Sequence, residues 1–373
     1  MKITLYFFFF IVFFYYQLNA QNIEYIGDSI EITLHGYKGG YIQWQYSTDK
    51  QNWTDIKDAN KQKLAFCISQ STLFRAKINN CSFEYFSDTT FIEAKLLSDS
   101  EFADYIGNYL SSDLLEGRYP GTHGDTLATR FLVSTFKRLG LKPLDGSNYT
   151  RNFNTDKTNI PTFNIIGIIP GCDSLLKKEI VVISAHYDHL GKKADGIYHG
   201  ADDNASGVAG ICLVARQFKE MKIEPKRTLL FIATGAEEVY PWLQGMNEFV
   251  NSKEIAIKNI KYVFNFDMIG RLRDNTLYFY GKNYTSIMVS TINNINSIYN
   301  FNFKLIFSTN PLFNSSIADH IVFEKYKIPS FTLCTGANNR AHQLTDVWSA
   351  IDVNSLIKIA FLDFRIINFY ANR

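Results

Sequence analysis

The sequence predicts an α/β protein built on a mostly parallel central sheet with helices on both faces, preceded by a small all-β sandwich. Three observations carry this reading. Residues 22–96 hold short segments in which apolar and polar residues alternate, separated by turn residues. From residue 97 onward, apolar strand-like runs alternate with segments of helical spacing, the pattern of βαβ units. The 373 residues are too many for one ordinary domain and suit two, and a hydrophobic share of 46% supplies a sizeable core. Lys+Arg (38) and Asp+Glu (36) nearly balance without clustered basic charge, which argues against a nucleic-acid partner.

The chain opens MKITLYFFFFIVFFYYQLNA. Lys2 supplies a short positive region, Ile3 to Tyr16 an apolar one, and Leu18-Asn19-Ala20 a small-residue cleavage site, so residues 1–20 read as a signal peptide. The protein is therefore expected to be exported: periplasmic, cell-surface or secreted. An apolar run of about 14 residues falls short of the roughly 20 needed to span a bilayer, and no membrane span is expected after the leader is removed.

In residues 22–96, SIEITL alternates Ile30, Ile32 and Leu34, and YIQWQYS alternates Ile42, Trp44 and Tyr46. The turn STDKQN follows, then KLAFCIS, TLFRAKI and TTFIEAK, the cadence of a small sandwich. WQYSTDKQNWTDIKDAN followed by LFRAKINNCS resembles immunoglobulin-like modules appended to exported bacterial proteins. The resemblance implies a module that binds a surface or another protein, with Trp44 and Trp53 as packing residues. The five cysteines are odd in number, widely spread and lack a CxxC pair, so neither a disulfide scaffold nor a cysteine zinc site is expected. Cys67 and Cys81 share the small module and are the pair an exported protein would oxidise.

Residues 97–373 read as the second domain. EFADYIGNYL and TLATRFLVSTFKRLGLKP have helical spacing, the latter ended by Gly140 and Pro143. TFNIIGIIPG, EIVVISAH, TLLFIAT, IKYVFNFDMI and IPSFTL are strand-like. ASGVAGICLVARQFKEM, WLQGMNEFVN, YTSIMVSTINNINSIYN, SSIADHIVFEKY and VNSLIKIAFLDFRIINFY are helical. No GxGxxG follows a strand and no GxxxxGK[ST] is present, which excludes dinucleotide and P-loop readings.

In open α/β sheets ligands bind at the carboxyl ends of the strands. His186 and Asp188 end EIVVISAHYD, Glu237 and Glu238 follow TLLFIAT, and Asp267 ends IKYVFNFD. His342 lies beyond IPSFTL, and Asp202-Asp203 precede the helix ASGVAG. His and carboxylate are ligands that zinc takes, and their convergence on one rim predicts a metal site.

The motifs AHYDHLG, GADDNASGVA, AEE, NFDMIGR, ADHIVF, IPSFTLCTG and HQLTD, in that order, resemble the co-catalytic di-zinc aminopeptidase family. That metallopeptidase clan includes secreted bacterial leucyl aminopeptidases, glutamate carboxypeptidases and glutaminyl cyclases. The lead-in SSDLLEGRYPGTHGDTLATRFLVSTFKRLGLKP is similar too, and the resemblance covers about residues 100–373. It implies the zinc exopeptidase fold and two zinc ions. Residue by residue, it implies that His186 and Asp267 bind one ion and Glu238 and His342 the other. Asp202 bridges both, with a cis Asp202–Asp203 bond, and Asp188 orients His186. Glu237 is the general base that takes a proton from water and delivers it to the leaving amine. Asp203, His320, Arg340, Tyr240 and Trp242 fall next to the ligands or the substrate. His189, His199, His35 and His123 read as non-ligands, the last in a loop.

The chain departs from the resemblance at two places. Relatives commonly have Tyr just before the last His ligand, where its hydroxyl supports the oxyanion. Here that residue is Ala341, and Arg340 or Tyr187 are the candidate substitutes. Relatives follow AEE with a Gly-rich turn, whereas this chain has Val239-Tyr240-Pro241-Trp242. Pro suits a first helical turn, so this stretch reads as a helix start, or else as a wall of the substrate pocket. The expected function is an exported zinc aminopeptidase acting on peptides or proteins with a free N-terminus. The alternatives are a single-zinc glutaminyl cyclase-like acyltransferase and a catalytically weak peptide-binding member.

Overall fold

A computed structural model of the protein describes residues 23–25, 29–68, 70–80, 83–309, 318–336 and 338–373. The expected signal peptide and the pairing of Cys67 with Cys81 lie outside these residues. The chain forms two compact units, Met1–Leu97 and Ser98–Arg373. Among the described residues no helix is long and apolar enough to cross a membrane.

The first unit is all β. Its strands are β1 (Ile23–Tyr25), β2 (Ser29–Thr33), β3 (Tyr41–Ser47), β4 (Thr54–Asp55), β5 (Lys63–Cys67), β6 (Thr72–Asn80), β7 (Phe83–Phe86) and β8 (Thr90–Lys95). One sheet runs β1-β8-β6-β3-β4, with β7 also on β6, while β2 and β5 form an antiparallel pair. Alternation sends Ile42 and Trp44 of β3 inward with Phe74, Ala76 and Ile78 of β6. Leu64 of β5 and Ile92 of β8 join them, and Ile30 and Ile32 of β2 pack against the cluster, which makes a small sandwich. Trp53 takes the guanidinium of Arg75 at 4.0 Å from its ring, a packing role like that of Trp44.

The second unit begins with α1 (Asp99–Leu110), whose start is set by a capping box between Ser98 and Glu101. Next comes α2 (His123–Arg138), capped by Thr122, so His123 opens a helix rather than lying in a loop. The strands are β9 (Lys142–Pro143), β10 (Thr150–Asn154), β11 (Pro161–Ile169), β12 (Ile180–His186), β13 (Gly191–Lys193), β14 (Gly196–Tyr198), β15 (Thr228–Thr234), β16 (Ile260–Phe266), β17 (Thr276–Lys282), β18 (Lys304–Ser308) and β19 (Ser330–Cys334). The remaining helices are α3 (Gly207–Glu220), α4 (Gln244–Ser252), α5 (Ser286–Ile298), α6 (Ile321–Glu324) and α7 (Val353–Asn372).

The large sheet is ordered β10-β11-β15-β12-β16-β19-β17-β18, with β9 on β11. Its centre, β15-β12-β16-β19, is parallel, and antiparallel pairings appear toward both edges. Every residue of β12 and β15 is buried, which is why both read as unbroken apolar runs. Ile180, Val182, Leu230 and Ile232 face a cluster with Met246 and Phe249 of α4 and Val322 and Phe323 of α6. The alternate residues turn to the opposite face, where α3 and α7 pack on β12. Because the central strands are parallel, His186, Thr234, Phe266 and Cys334 end them on one rim.

One further sequence expectation changes here, and two strands appear that no expectation covered. The helix expected over SSIADHIVFEKY is, among the described residues, the short turn α6, because Asp319 and His320 point inward to hydrogen-bond Thr234 and Thr332. The strands β17 and β18, in TLYFYGK and KLIFS, were not expected from the sequence.

Candidate metal centre

The rim gathers two sets of donors. His186, Asp203 and Asp267 form one, and His189, Asp203 and Glu238 the other, with the ligand-type atoms of each set within 4.8 Å of one another. Asp203 belongs to both. Its Oδ1 is 3.2 Å from His186 Nε2, and its Oδ2 is 3.1 Å from His342 Nε2. His342 Nε2 is also 3.0 Å from Glu238 Oε1, and His186 Nε2 is 3.7 Å from Asp267 Oδ1.

Asp203 therefore stands where the sequence placed Asp202. The Asp202 carboxylate turns away to accept the Gly270 N–H at 2.8 Å and Asn338 Nδ2 at 2.8 Å. Arg271 Nε lies 3.6 Å from it. The cis bond is correspondingly Asp203–Asn204 rather than Asp202–Asp203. The turn is held by Asp346, whose carboxylate accepts the N–H groups of Asp202 (3.0 Å) and Asp203 (3.1 Å). The Asn204 side chain bonds Phe266 O and accepts the Gly207 and Met268 N–H groups, tying the turn to the end of β16.

Asp188 also differs in role. His186 Nδ1 faces the backbone carbonyl of Asp188 at 3.2 Å and is 3.8 Å from its carboxylate. That carboxylate instead accepts the N–H groups of Glu237 (3.0 Å) and Glu238 (3.2 Å), so it fixes the turn that follows β15. Its orienting effect falls on the adjacent glutamates more than on His186.

The turn after Glu238 is tight. Tyr240–Pro241 is cis, Trp242 has φ +65°, and α4 starts only at Gln244, so Pro241 does not occupy a first helical turn. The Tyr240 and Trp242 rings meet edge to face with centroids 4.8 Å apart, both about half exposed, and Lys157 Nζ lies 4.0 Å from the Tyr240 centroid.

Neither candidate oxyanion donor faces the ligands. The Tyr187 hydroxyl is buried and donates to Asp125 Oδ1 at 2.6 Å. Arg340 Nη1 donates to Thr345 O. Asn338 Oδ1 accepts the N–H groups of Arg340 and Ala341, which shapes the loop that carries His342. His320 Nδ1 meets the Thr332 hydroxyl at 2.6 Å, and burial lowers its imidazole to about 3. It is a neutral packing residue. His199 pairs with Asp113.

Sequence reasoning missed Arg118 and Asp346, and it read His189 as a non-ligand without the contact of its Nδ1 with Glu238 Oε1 at 3.1 Å. The fully buried Arg118 guanidinium donates to the carbonyls of Tyr187 (2.6 Å), His199 (2.6 Å), Gly200 (2.9 Å) and Leu110. It thereby clamps the loop after His186 to the loop before Asp203. A lone Arg inside SSDLLEGRYPG carries no periodic signal that would mark it. Asp346 stood in view within HQLTD, but only the fold shows that it receives backbone N–H groups.

The electrostatics fit cations. Asp188, Asp202, Asp203, Glu237, Asp267, Asp319 and Asp346 are seven buried carboxylates in one neighbourhood. Burial raises Asp188 and Asp202 to about 7 and Asp267 to about 6. It also raises Glu237 well above the carboxylate range, with Glu238, Asp267 and Asp319 adding to the push against the opposing pull of His186. Against the cost of burial, hydrogen bonds from His186 and His342 hold Asp203 well below its ordinary value. Asp267 Oδ1 is buried without a hydrogen-bond partner among the described residues. An unpartnered buried carboxylate oxygen beside His186 and Asp203 is what a zinc ion would satisfy.

A model of Peptidase family M28 matches residues 164–366. The chain belongs to peptidase family M28. It is a metallopeptidase, a zinc-dependent hydrolase, and its fold matches solved structures of that type. The LapA aminopeptidase of Legionella pneumophila aligns with a TM-score of 0.59 at 20% identity, covering 74% of this chain and 72% of that one. A leucine aminopeptidase precursor from Bacteroides thetaiotaomicron aligns at 0.58 and 17% identity, covering 73% and 97%. The glutaminyl cyclase of the same organism, solved with N-acetylhistamine, aligns at 0.57 and 16%, also covering 73% and 97%. A second family model, a domain of unknown function (DUF8696), matches residues 18–95 of this M28 peptidase.

Proposed function

We propose that this M28 peptidase is an exported di-zinc aminopeptidase that removes the N-terminal residue from peptides or proteins with a free amine. The observation that carries the reading is Asp203, which has one carboxylate oxygen toward each donor set. One ion would be held by His186, Asp203 and Asp267, the other by Asp203, Glu238 and His342. When bound, the zinc pair supplies Lewis acidity, lowering the pKa of water and polarising the scissile carbonyl.

The chain's own residues do the rest. Glu238 faces His189 and His342, which leaves the neighbouring Glu237 free of the ligand role. Its environment favours the protonated form, so its carboxylate is a strong proton acceptor. Glu237 takes a proton from the attacking water and returns it to the departing amine nitrogen. Asp188 holds the backbone of both glutamates, so base and ligand keep a fixed separation. Asp346 and Asn204 do the same for Asp203. The first unit, an immunoglobulin-like module in this reading, attaches the enzyme to a surface or another protein.

The test is turnover of aminoacyl-nitroanilides against their N-blocked counterparts, with zinc content measured after exhaustive dialysis. Cleavage of the free-amine substrates alone, with two zinc ions per chain, is expected. One zinc per chain with cyclisation of N-terminal Gln would replace this reading with the cyclase one. No turnover on a broad panel, with Glu237→Ala indistinguishable from wild type, would make the protein a peptide-binding member.

A further inference from the structure

We infer that His189 is a positioning residue for the metal ligand Glu238: its Nδ1–H fixes the Glu238 carboxylate for the ion that Glu238 shares with Asp203 and His342. The inference rests on the di-zinc reading above. His189 lies three residues beyond His186, in the loop that leaves β12, and is fully buried. Its Nδ1 is 3.1 Å from Glu238 Oε1. An ionised carboxylate only accepts, so Nδ1 carries the hydrogen and the lone pair is on Nε2.

His342 Nε2 points at the same oxygen from 3.0 Å. A histidine that ligates zinc gives the metal the lone pair of the ligating nitrogen, so His342 cannot also donate from Nε2. His189 is then the side chain that supplies an N–H to Glu238. Outer partners of this kind orient a ligand and raise its affinity for metal.

The pocket around the ring is built for it. Gly200, with φ +57°, sits against His189, and a Cβ there would lie 2.5 Å from the imidazole Cγ. Arg118 fixes this glycine through its carbonyl, at 2.9 Å. The loop before Asp203 thus presents a glycine face to the ring that holds Glu238, and one clamp sets both ligands. The ring also meets His342 edge to face at 5.7 Å.

The experiment measures zinc and cobalt(II) affinities of the full chain by competition with a chromophoric chelator, for wild type and for H189A, H189Q and H189N. Asn places an amide N–H near the Nδ1 position, whereas Gln reaches toward Nε2. Expected are two ions in wild type and a loss of about 10–100-fold in affinity for one of them in H189A and H189Q. H189N should recover most of that loss, and the other ion should bind unchanged in all variants. Equal affinities in H189A and wild type would overturn the inference, as would H189N losing as much as H189A. Should the variants not fold, nitrogen-15 NMR of the zinc-loaded wild type decides the matter. Hydrogen on His189 Nδ1 supports the inference, and metal on Nδ1 overturns it. A wild type that binds a single ion would instead sink the di-zinc reading itself, and this inference with it.

Discussion

Two turns on the rim each place adjacent acids: Asp202-Asp203 ahead of α3 and Glu237-Glu238 after β15. In the second, a strand leads directly into the pair, and both backbone N–H groups are held by one carboxylate, Asp188. The side chains then diverge, Glu238 toward His189 and His342 and Glu237 into the company of His186, Asp267 and Asp319. In the first, the pair follows a hairpin and a left-handed Gly200, so no strand pleat sets its phase. Asp346 holds both N–H groups there, and the side chains again part, Asp202 to Gly270 and Asn338, Asp203 to the histidines. In each turn a buried carboxylate holds the backbone N–H groups of both neighbours, and Asp346 also pairs with Arg271 at 3.2 Å, while only one neighbour reaches the metal position.

The largest effects should separate the members of each pair. Asp203→Asn should lose stoichiometric zinc in both donor sets and abolish turnover, while Asp202→Asn should cost at most about 10–100-fold in zinc affinity. Metal analysis after dialysis checks this, and the reverse ranking would restore Asp202 as the bridge. In the second pair, Glu237→Gln should keep both ions and lower kcat about 10²–10⁴-fold, whereas Glu238→Gln should lose one ion. Paired metal and kinetic measurements on the two variants read the difference.

A smaller effect concerns what joins the turns. Arg118→Met leaves the carbonyls of Tyr187, His199 and Gly200 buried without this donor. Each such group costs roughly 1–3 kcal/mol, so the midpoint of denaturant unfolding should fall clearly even in zinc-saturated protein. The smallest should come from the half-exposed Trp242. Trp242→Ala should change stability by less than about 0.5 kcal/mol and leave zinc content intact, while shifting KM among substrates with different N-terminal side chains. Unchanged KM across such a panel would remove Trp242 from the substrate pocket.

The parts legible in the sequence are those with a fixed period. β12, β15, β16 and β19 are buried strands, so their apolar runs and the residues that end them could be read directly, and with them the rim and its zinc chemistry. α1 and α2 carry helical spacing and read as helices, but their N-terminal caps at Ser98 and Thr122 go unread, so His123 reads as a loop residue. The illegible parts depend on tertiary partners. Whether Asp202 or Asp203 faces the histidines is set by Asp346, more than 140 residues away in the chain, as the separations of 144 and 143 positions show. Arg118 and His189 act on backbone carbonyls and on a ligand, contacts that leave no spacing to find. No sequence expectation covers β17 and β18, toward the edge of the sheet, where Asp274, Asn275, Asn300 and Asn302 take left-handed conformations before the strands.

Diffraction from zinc-loaded crystals, recorded on both sides of the zinc absorption edge, is the direct test of the shared ligand. Two anomalous peaks are expected, one beside His186 and Asp267, the other beside Glu238 and His342, with a separate carboxylate oxygen of Asp203 facing each. A single peak, or two peaks bridged by Asp202, would contradict the assignment.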